Sequence, residues 1–277
     1  MSTTHHQNCE LRHKECEVYT HSIWMNGDTK KLIKKPVQIH RSMYRRAHVY
    51  TVIGDPRVPY GTQMISVTTI GNELSGSPEG LLYWASGLAA ATGNPNEYKE
   101  DRRRSAESGS ELHSDIENYI SNGTINEMNP MFLSWYKHIG EKEKFVDTEI
   151  MLYSALDTEK FSENLYGGTA DALSISDGSD HVLWDWKTKK ASSYDGKPIM
   201  KDWVQISAYW NALKSMNSIY QPDCARIAYI MRDTNEVDIV TIDREELEMS
   251  LSLFNQAVNT RILKGAFNKS VRNRKEG

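Results

Sequence analysis

The stretch "GGTADALSISDGSDHVLWDWKTKK", residues 167–190, decides the fold that the sequence predicts. Two apolar runs of strand length are joined by the turn-forming residues Ser-Asp-Gly-Ser-Asp, which predicts an antiparallel hairpin. Because side chains alternate along a strand, Asp185 and Lys187 share one face of the second run, and its two tryptophans share the other. Asp171 on the first run can lie beside Asp185. A charged group that is buried loses its hydration, so this group of charges needs compensation.

Two interpretations account for these buried charges. Adjacent carboxylates repel each other, and one of them holds a proton unless a cation neutralises the pair. A divalent metal with oxygen ligands such as Mg²⁺ provides that cation and leaves room for water and phosphate. In the alternative, Asp185 and Lys187 form a buried ion pair and Asp171 caps a turn, which would be structural only.

The composition indicates a soluble protein inside the cell. The 277 residues are 39% hydrophobic and 25% charged, as in ordinary globular proteins, and can bury a sizeable core. The first thirty residues are too polar for a secretory signal, and no apolar run is long enough to span a bilayer. Cys9, Cys16 and Cys224 cannot form a paired framework, which favours a reducing compartment. We therefore expect no membrane partner.

The formal net charge of −4 means that binding to nucleic acid has to depend on local basic clusters. Candidates are Arg102, Arg103 and Arg104, before a predicted helix, and the basic segment 261–277. A solvated loop and a frayed chain end account for the same residues.

The order of predicted elements indicates one α/β domain, at residues 47–277, after an N-terminal extension of unknown role at residues 1–46. Helices come first, then three strands, a helix, two strands and a last helix, which predicts a mixed central sheet flanked by helices. Asp243 and Glu246 have the spacing of a capping box at the start of that last helix. The extension holds histidines and cysteines whose spacing fits no compact zinc pattern. They are His5, His6, Cys9, His13, Cys16 and His21.

Two predicted helices carry polar pairs. In the helix predicted over 107–120, His113 lies next to the apolar stripe and Glu117 follows one turn later on the same face. In another, Gln205 and Tyr209 are four residues apart and emerge together. Each pair alone is common on protein surfaces.

These residues, taken in chain order, resemble the motifs of the RecB-like branch of the PD-(D/E)xK nuclease superfamily. The resemblance covers roughly residues 50 to 255 and includes stand-alone phage and mitochondrial genome maintenance exonucleases. "SVTTI" at 66–70, followed by Trp84, resembles their upstream segment. The motifs are Gly109-Ser-Glu-Leu-His113, one residue longer than the tightest form, Gly168-Thr-Ala-Asp171, Asp185-Trp-Lys187 and Gln205-Ile-Ser-Ala-Tyr209.

The resemblance implies a restriction-endonuclease-like core that binds Mg²⁺ or Mn²⁺. Its metal ligands would be His113, Asp171, Asp185 and the backbone carbonyl of Trp186. Iron–sulfur members of the branch use four cysteines, and this chain has three scattered ones, so we expect no cluster.

The resemblance also implies roles for the remaining site residues. Lys187 would orient or deprotonate the attacking water and offset the charge that gathers on the phosphate. Gln205 and Tyr209 would hold the Asp185 strand or the substrate backbone. Glu117 and Glu149 are candidates for supporting a ligand, and Glu149 also for a second metal, although an exposed edge-strand position explains Glu149 equally well.

The implied function is a metal-dependent DNA exonuclease that acts on single strands or at free ends, with little sequence specificity. Such enzymes serve DNA recombination and repair, and a phage-encoded one works in the bacterial cytoplasm. Nothing in the sequence resembles a recognition helix, and backbone contacts carry no sequence information. The alternatives are a structure- or site-specific endonuclease on the same fold and a non-catalytic nucleic-acid-binding protein.

Overall fold

The protein is described here by a computed structural model. The described residues are 16–26, 31–44, 47–74, 78–155, 165–175, 181–197 and 199–276.

One nine-stranded mixed sheet organises the described part of the chain. The strands follow the order β1-β2-β3-β4-β6-β7-β8-β9, and β5 pairs with β6 outside this path. Only the β4–β6 and β7–β8 pairs within this sheet are parallel. The strands are β1 (Cys16–Asn26), β2 (Leu32–Tyr44), β3 (Ala47–Ile53), β4 (Met64–Ser66), β5 (Lys144–Tyr153), β6 (Tyr166–Ile175), β7 (His181–Lys189), β8 (Pro222–Met231) and β9 (Val237–Ile242).

Helices cover both faces of this sheet, so the predicted α/β fold with a mixed central sheet flanked by helices is confirmed. The tryptophan face of β7 packs against α3 and α4, whereas Leu183 on the other face belongs to the core beneath α5 and α6. The helices are α1 (Val67–Gly71), α2 (Pro78–Thr92), α3 (Glu97–Asn122), α4 (Pro130–Trp135), α5 (Met200–Ser215) and α6 (Arg244–Glu276).

The predicted hairpin at 167–190 is confirmed. β6 and β7 pair antiparallel, from Ala172 opposite Trp184 to Ile175 opposite His181. Because β7 then crosses over through α5 into the parallel strand β8, both faces of β7 are covered and the strand is buried. This burial is what forces the charges of β7 to find partners.

Helix α3 begins much earlier than the sequence predicts, at Glu97 instead of Glu107. Its first half has no apolar stripe, and surface ion pairs such as Arg103 with Glu107 and Arg104 with Glu97 support it. Arg102, Arg103 and Arg104 therefore lie within the helix and not before it, so that part of the prediction was wrong.

The N-terminal strands belong to the same sheet as the rest of the chain. β1 pairs with β2, and β2 pairs with β3 from Gln38 opposite Ile53 to Tyr44 opposite Ala47, so pairing runs across the predicted boundary after residue 46. His21 in β1 is buried and its Nε2 lies 2.8 Å from the Ser218 hydroxyl. Cys16 also lies in β1, whereas the other four residues weighed for zinc fall outside the described residues. These are His5, His6, Cys9 and His13.

A bilayer span needs a long, apolar helix, and no helix in the described ranges meets that requirement.

Candidate active site

The hairpin, its neighbouring strand and two helices border one open cavity of about 750 Å³. β5, β6 and β7 supply Glu149, Asp171 and Lys187, α3 supplies His113, and α5 supplies Gln205 and Tyr209. Glu117 on α3 also lines this cavity. Arg102, Arg103 and Arg104 lie on an exposed part of α3 and are not among its lining residues.

Asp185 is held from both sides at the bottom of the site, where only 1% of it is exposed. Its Oδ2 lies 2.6 Å from the Lys187 Nζ, and its Oδ1 accepts a hydrogen bond of 3.3 Å from the Gln205 side chain. The same Gln205 nitrogen donates to the Tyr209 hydroxyl at 3.0 Å. Both oxygens of Asp185 therefore have partners within the protein.

Asp171 is oriented by the neighbouring strand. Its Oδ2 accepts a hydrogen bond of 2.6 Å from the backbone N–H of Trp186, which leaves Oδ1 for other partners. Burial would raise the pKa of Asp171, but His113, Lys187 and this N–H outweigh it and lower the pKa. For Asp185, burial is the stronger influence and raises the pKa to about 7, although Lys187 opposes the shift. Asp171 is therefore the more acidic of the two carboxyls.

His113 reaches the same point from α3. Its Nε2 lies 3.1 Å from the Trp186 carbonyl oxygen, which can only accept, so Nε2 donates and Nδ1 faces Asp171 Oδ1 at 3.5 Å. Burial would lower the pKa of His113, but Asp171 outweighs burial and raises the pKa to about 9. At neutral pH His113 therefore carries a proton on Nδ1 as well, and a metal ion that binds Nδ1 has to displace this proton.

Glu149 adds a second carboxylate beside Asp171. Thr148 pairs with Ala172 and Ile150 with Ala170, so Glu149 stands opposite Asp171 across the strands. Its backbone has φ of 49°, in the left-handed region that side chains other than glycine rarely adopt. Burial, and then the Asp171 charge, raise the pKa of Glu149 to about 7. Strain and repulsion at one residue suggest a functional constraint.

The ligand atoms of His113, Glu149 and Asp171 all lie within 4.8 Å of one another. One imidazole nitrogen and two carboxylate oxygens at this separation match the donor set of a divalent cation, and the cavity leaves positions for water and substrate oxygens. The predicted ligands Asp185 and the Trp186 carbonyl lie beside this group, engaged by Lys187 and by His113. Their roles as metal ligands stay predictions.

Two glycines let aromatic rings approach the site closely. A Cβ on Gly168 would lie 2.4 Å from Tyr209 Cε1, and one on Gly167 would lie 2.5 Å from Tyr50 Cγ. Because Gly168 has no side chain, the Tyr209 ring packs directly against the backbone of β6, and its hydroxyl accepts a hydrogen bond from Gln205. The glycine of the Gly168-Thr-Ala-Asp171 motif has this steric reason.

Arg41 on β2 lines the same cavity, and no sequence motif pointed to it. Alternation along β2 places Arg41 on one face of a strand, but nothing local to the sequence indicates that this face meets β6.

No family model matches the sequence, and no curated protein matches it. Among solved structures, the crystal structure of SSO0001 is similar with a TM-score of 0.35 and 15% identity, over 73% of this chain and 78% of that one. The crystal structure of LHK-Exo in complex with dAMP is similar with a TM-score of 0.34 and 12% identity, over 76% of this chain and 94% of that one.

Proposed function

We propose that the protein is a divalent-metal-dependent nuclease that hydrolyses phosphodiester bonds in DNA. The observation that carries this proposal is the convergence of His113, Glu149 and Asp171 within 4.8 Å, beside the buried pair of Asp185 and Lys187. A purely structural ion pair accounts for the second of these features but not for the first.

The ion would be Mg²⁺ or Mn²⁺, held by His113, Glu149 and Asp171, with Asp185 and the Trp186 carbonyl close by. When bound, it would polarise the phosphate and lower the pKa of a water. Asp171 is kept charged and fixed for this task, because the Trp186 N–H holds one of its oxygens.

Lys187 supplies the positive charge of the protein itself. Burial would lower its pKa, but Asp185 and Asp171 raise it, so the ammonium stays charged at neutral pH. Its 2.6 Å contact with Asp185 fixes the ammonium at the cavity floor, where it can orient the attacking water and offset negative charge on the phosphate. Gln205 and Tyr209 position Asp185 and act through it.

We further propose that the enzyme is an exonuclease acting at free DNA ends with little sequence preference. The order of the four motifs, which resembles that of stand-alone exonucleases, supports this finer statement.

The test uses linear single- and double-stranded DNA with labelled ends and a closed circular plasmid, with Mg²⁺, Mn²⁺ or EDTA. We expect digestion of the linear DNA in either metal, no digestion in EDTA, and an intact circle. Asp171→Asn should abolish digestion. Glu107→Gln is a matched control on the exposed face of α3, outside the cavity, and should keep full activity.

Each alternative result identifies a different error in the proposal. Cleavage of the circle would refute the exonuclease assignment and leave the nuclease assignment standing. No digestion by the wild-type protein, together with metal and DNA binding by calorimetry, would identify a non-catalytic binding protein. Full activity of Asp171→Asn would remove the assigned site.

A further inference from the structure

The N-terminal hairpin of β1 and β2 brings an arginine to the cavity. The Arg41 side chain is 20% exposed, and its Nη1 donates a hydrogen bond of 3.0 Å to the Thr169 hydroxyl. Thr169 precedes Asp171 by two residues on β6, so both side chains point to the same face. The Tyr50 hydroxyl lies 3.1 Å from the Thr169 hydroxyl and fixes it further. The guanidinium is therefore held at Thr169, two residues from Asp171 on the same strand face.

The other contacts of Arg41 are ion pairs with two acids, Glu17 and Glu149. Its Nε donates to Glu17 Oε2 at 2.6 Å, and its Nη2 contacts the same oxygen, but the Glu17 side chain is 58% exposed. An ion pair at such an exposed site contributes little, so another anion can replace it. The second acid, Glu149, is 3.8 Å from Nη1 and belongs to the group of candidate metal ligands.

The positively charged side chains that line the cavity differ in how buried their acidic partners are. Lys187 is in close contact with Asp185, and His113 faces Asp171. Arg41 alone among these three is paired mainly with a residue in solvent. A guanidinium also matches the two oxygens of a phosphate with parallel hydrogen bonds, which an ammonium cannot do.

We propose that Arg41 binds a phosphate of the DNA substrate, next to the bond that is cleaved, in exchange for Glu17. This inference rests on the proposed nuclease function and gives the N-terminal hairpin a part in substrate binding. The contact is to the backbone and carries no sequence information.

The experiment combines two measurements on wild type, Arg41→Gln, Arg41→Lys and Glu17→Gln. Fluorescence anisotropy gives the Kd for a labelled single-stranded oligonucleotide in EDTA over a series of salt concentrations. Steady-state kinetics with Mg²⁺ on the same oligonucleotide gives KM and kcat. Circular-dichroism melting curves confirm that each variant is folded.

We expect the slope of log affinity against log salt to become shallower by about 0.7 in Arg41→Gln, which corresponds to one phosphate contact on a single strand. Its KM should rise about tenfold, since a hydrogen bond to a charged group is lost, while kcat stays within about twofold. Arg41→Lys should keep the slope with an intermediate KM. Glu17→Gln should keep the slope and lower KM, because it removes the anion that the phosphate replaces.

A slope for Arg41→Gln equal to that of wild type would overturn the proposal. So would equal losses in Glu17→Gln and Arg41→Gln, because the arginine would then act through its ion pair. A fall in kcat at constant KM would show that it positions Glu149 instead. If the wild type fails to digest DNA, the proposed nuclease function fails, but the anisotropy series still decides whether Arg41 contacts phosphate.

Discussion

We expect Glu149 to strengthen metal binding and to lower the free energy of unfolding of the metal-free protein. In the metal-free protein Glu149 faces the like charge of Asp171 across the strands and has a φ of 49°. Glu149→Gln keeps the shape of the side chain and removes the charge. Glu149→Gly also removes the side chain that makes this backbone conformation unfavourable.

The magnitudes follow from these two features. Like charges directly opposite each other in a sheet cost up to about 1 kcal/mol, reduced here by the 3.8 Å contact of Glu149 with Arg41. Without metal, we therefore expect Glu149→Gln to be between about 0 and 1 kcal/mol more stable than wild type. A glycine relieves the left-handed backbone by about 1–2 kcal/mol but costs about 0.5–1 kcal/mol in chain entropy, so Glu149→Gly should gain between about 0 and 1.5 kcal/mol more.

Metal should reverse this order. A metal that binds only the folded wild type at a hundred times its Kd adds about 2.7 kcal/mol to the free energy of unfolding. Variants that lack one of three ligand groups bind more weakly and gain less. Wild type is then the most stable of the three proteins, although it is the least stable of them in EDTA.

The assay is urea unfolding followed by tryptophan fluorescence, at pH 8.5, where Glu149 is charged because its pKa is about 7. The series is run in EDTA and in Mn²⁺, and calorimetry gives the metal affinity of each protein. Glu107→Gln makes the same chemical change on an exposed helix face and should shift the free energy of unfolding by less than about 0.5 kcal/mol in both conditions. The reasoning is refuted if both variants at 149 are less stable than wild type in EDTA, or if Mn²⁺ stabilises Glu149→Gln as much as wild type.

Three further changes probe other parts of the molecule. Lys187→Met should lower kcat at least about a hundredfold by removing the charge that faces the phosphate, while calorimetry still detects metal binding; kcat near the wild-type value would exclude that role. Gly168→Ala should lower the free energy of unfolding by about 1–3 kcal/mol, because its Cβ would lie 2.4 Å from Tyr209. In a double-mutant cycle measured by urea unfolding, adding Tyr209→Ala should recover part of this loss. His21 is buried, and its burial lowers its pKa to about 4, with a further contribution from the charge of Lys34. The contribution of neutral His21 to the free energy of unfolding should therefore be complete above pH 6.5 and fall by about 3 kcal/mol as the pH drops to 4. Urea unfolding of His21→Gln should lack this component, and a pH profile identical to that of wild type would contradict it.

Local sequence signals predicted the elements that depend on neighbours in the chain. The turn-forming residue types at 176–180 and the alternation on either side predicted the antiparallel pairing of β6 and β7 that the structure shows. The capping box at the start of α6 is likewise confirmed, since the Glu246 N–H donates to Asp243 and the Asp243 N–H donates to Glu246. In both cases the interacting groups are close in the sequence, so residue type and spacing are sufficient.

The rest of the site depends on contacts between residues far apart in the sequence, which local patterns do not predict. Arg41 donates to Thr169 across 128 residues, and only the assembled sheet brings their strands together. Glu149 has a left-handed backbone within β5, and a glutamate in a strand-forming run gives no sign of it. The first half of α3 lacks an apolar stripe because it is exposed, so its start at Glu97 was missed.

The two halves of the site differ in what they contribute to the fold. Asp185 and Lys187 compensate each other, and removal of one partner of a buried pair leaves an unpaired charge, at a cost of about 3–5 kcal/mol. The fold therefore constrains this pair even without catalysis. Glu149 and Asp171 have the opposite character, because they place like charges face to face and one of them on an unfavourable backbone. Hydrogen bonding accounts for the place of Asp171, whose Oδ2 accepts from the Trp186 N–H, but the 3.8 Å contact with Arg41 does not account for that of Glu149. A doubly positive ion between the two acids would stabilise both.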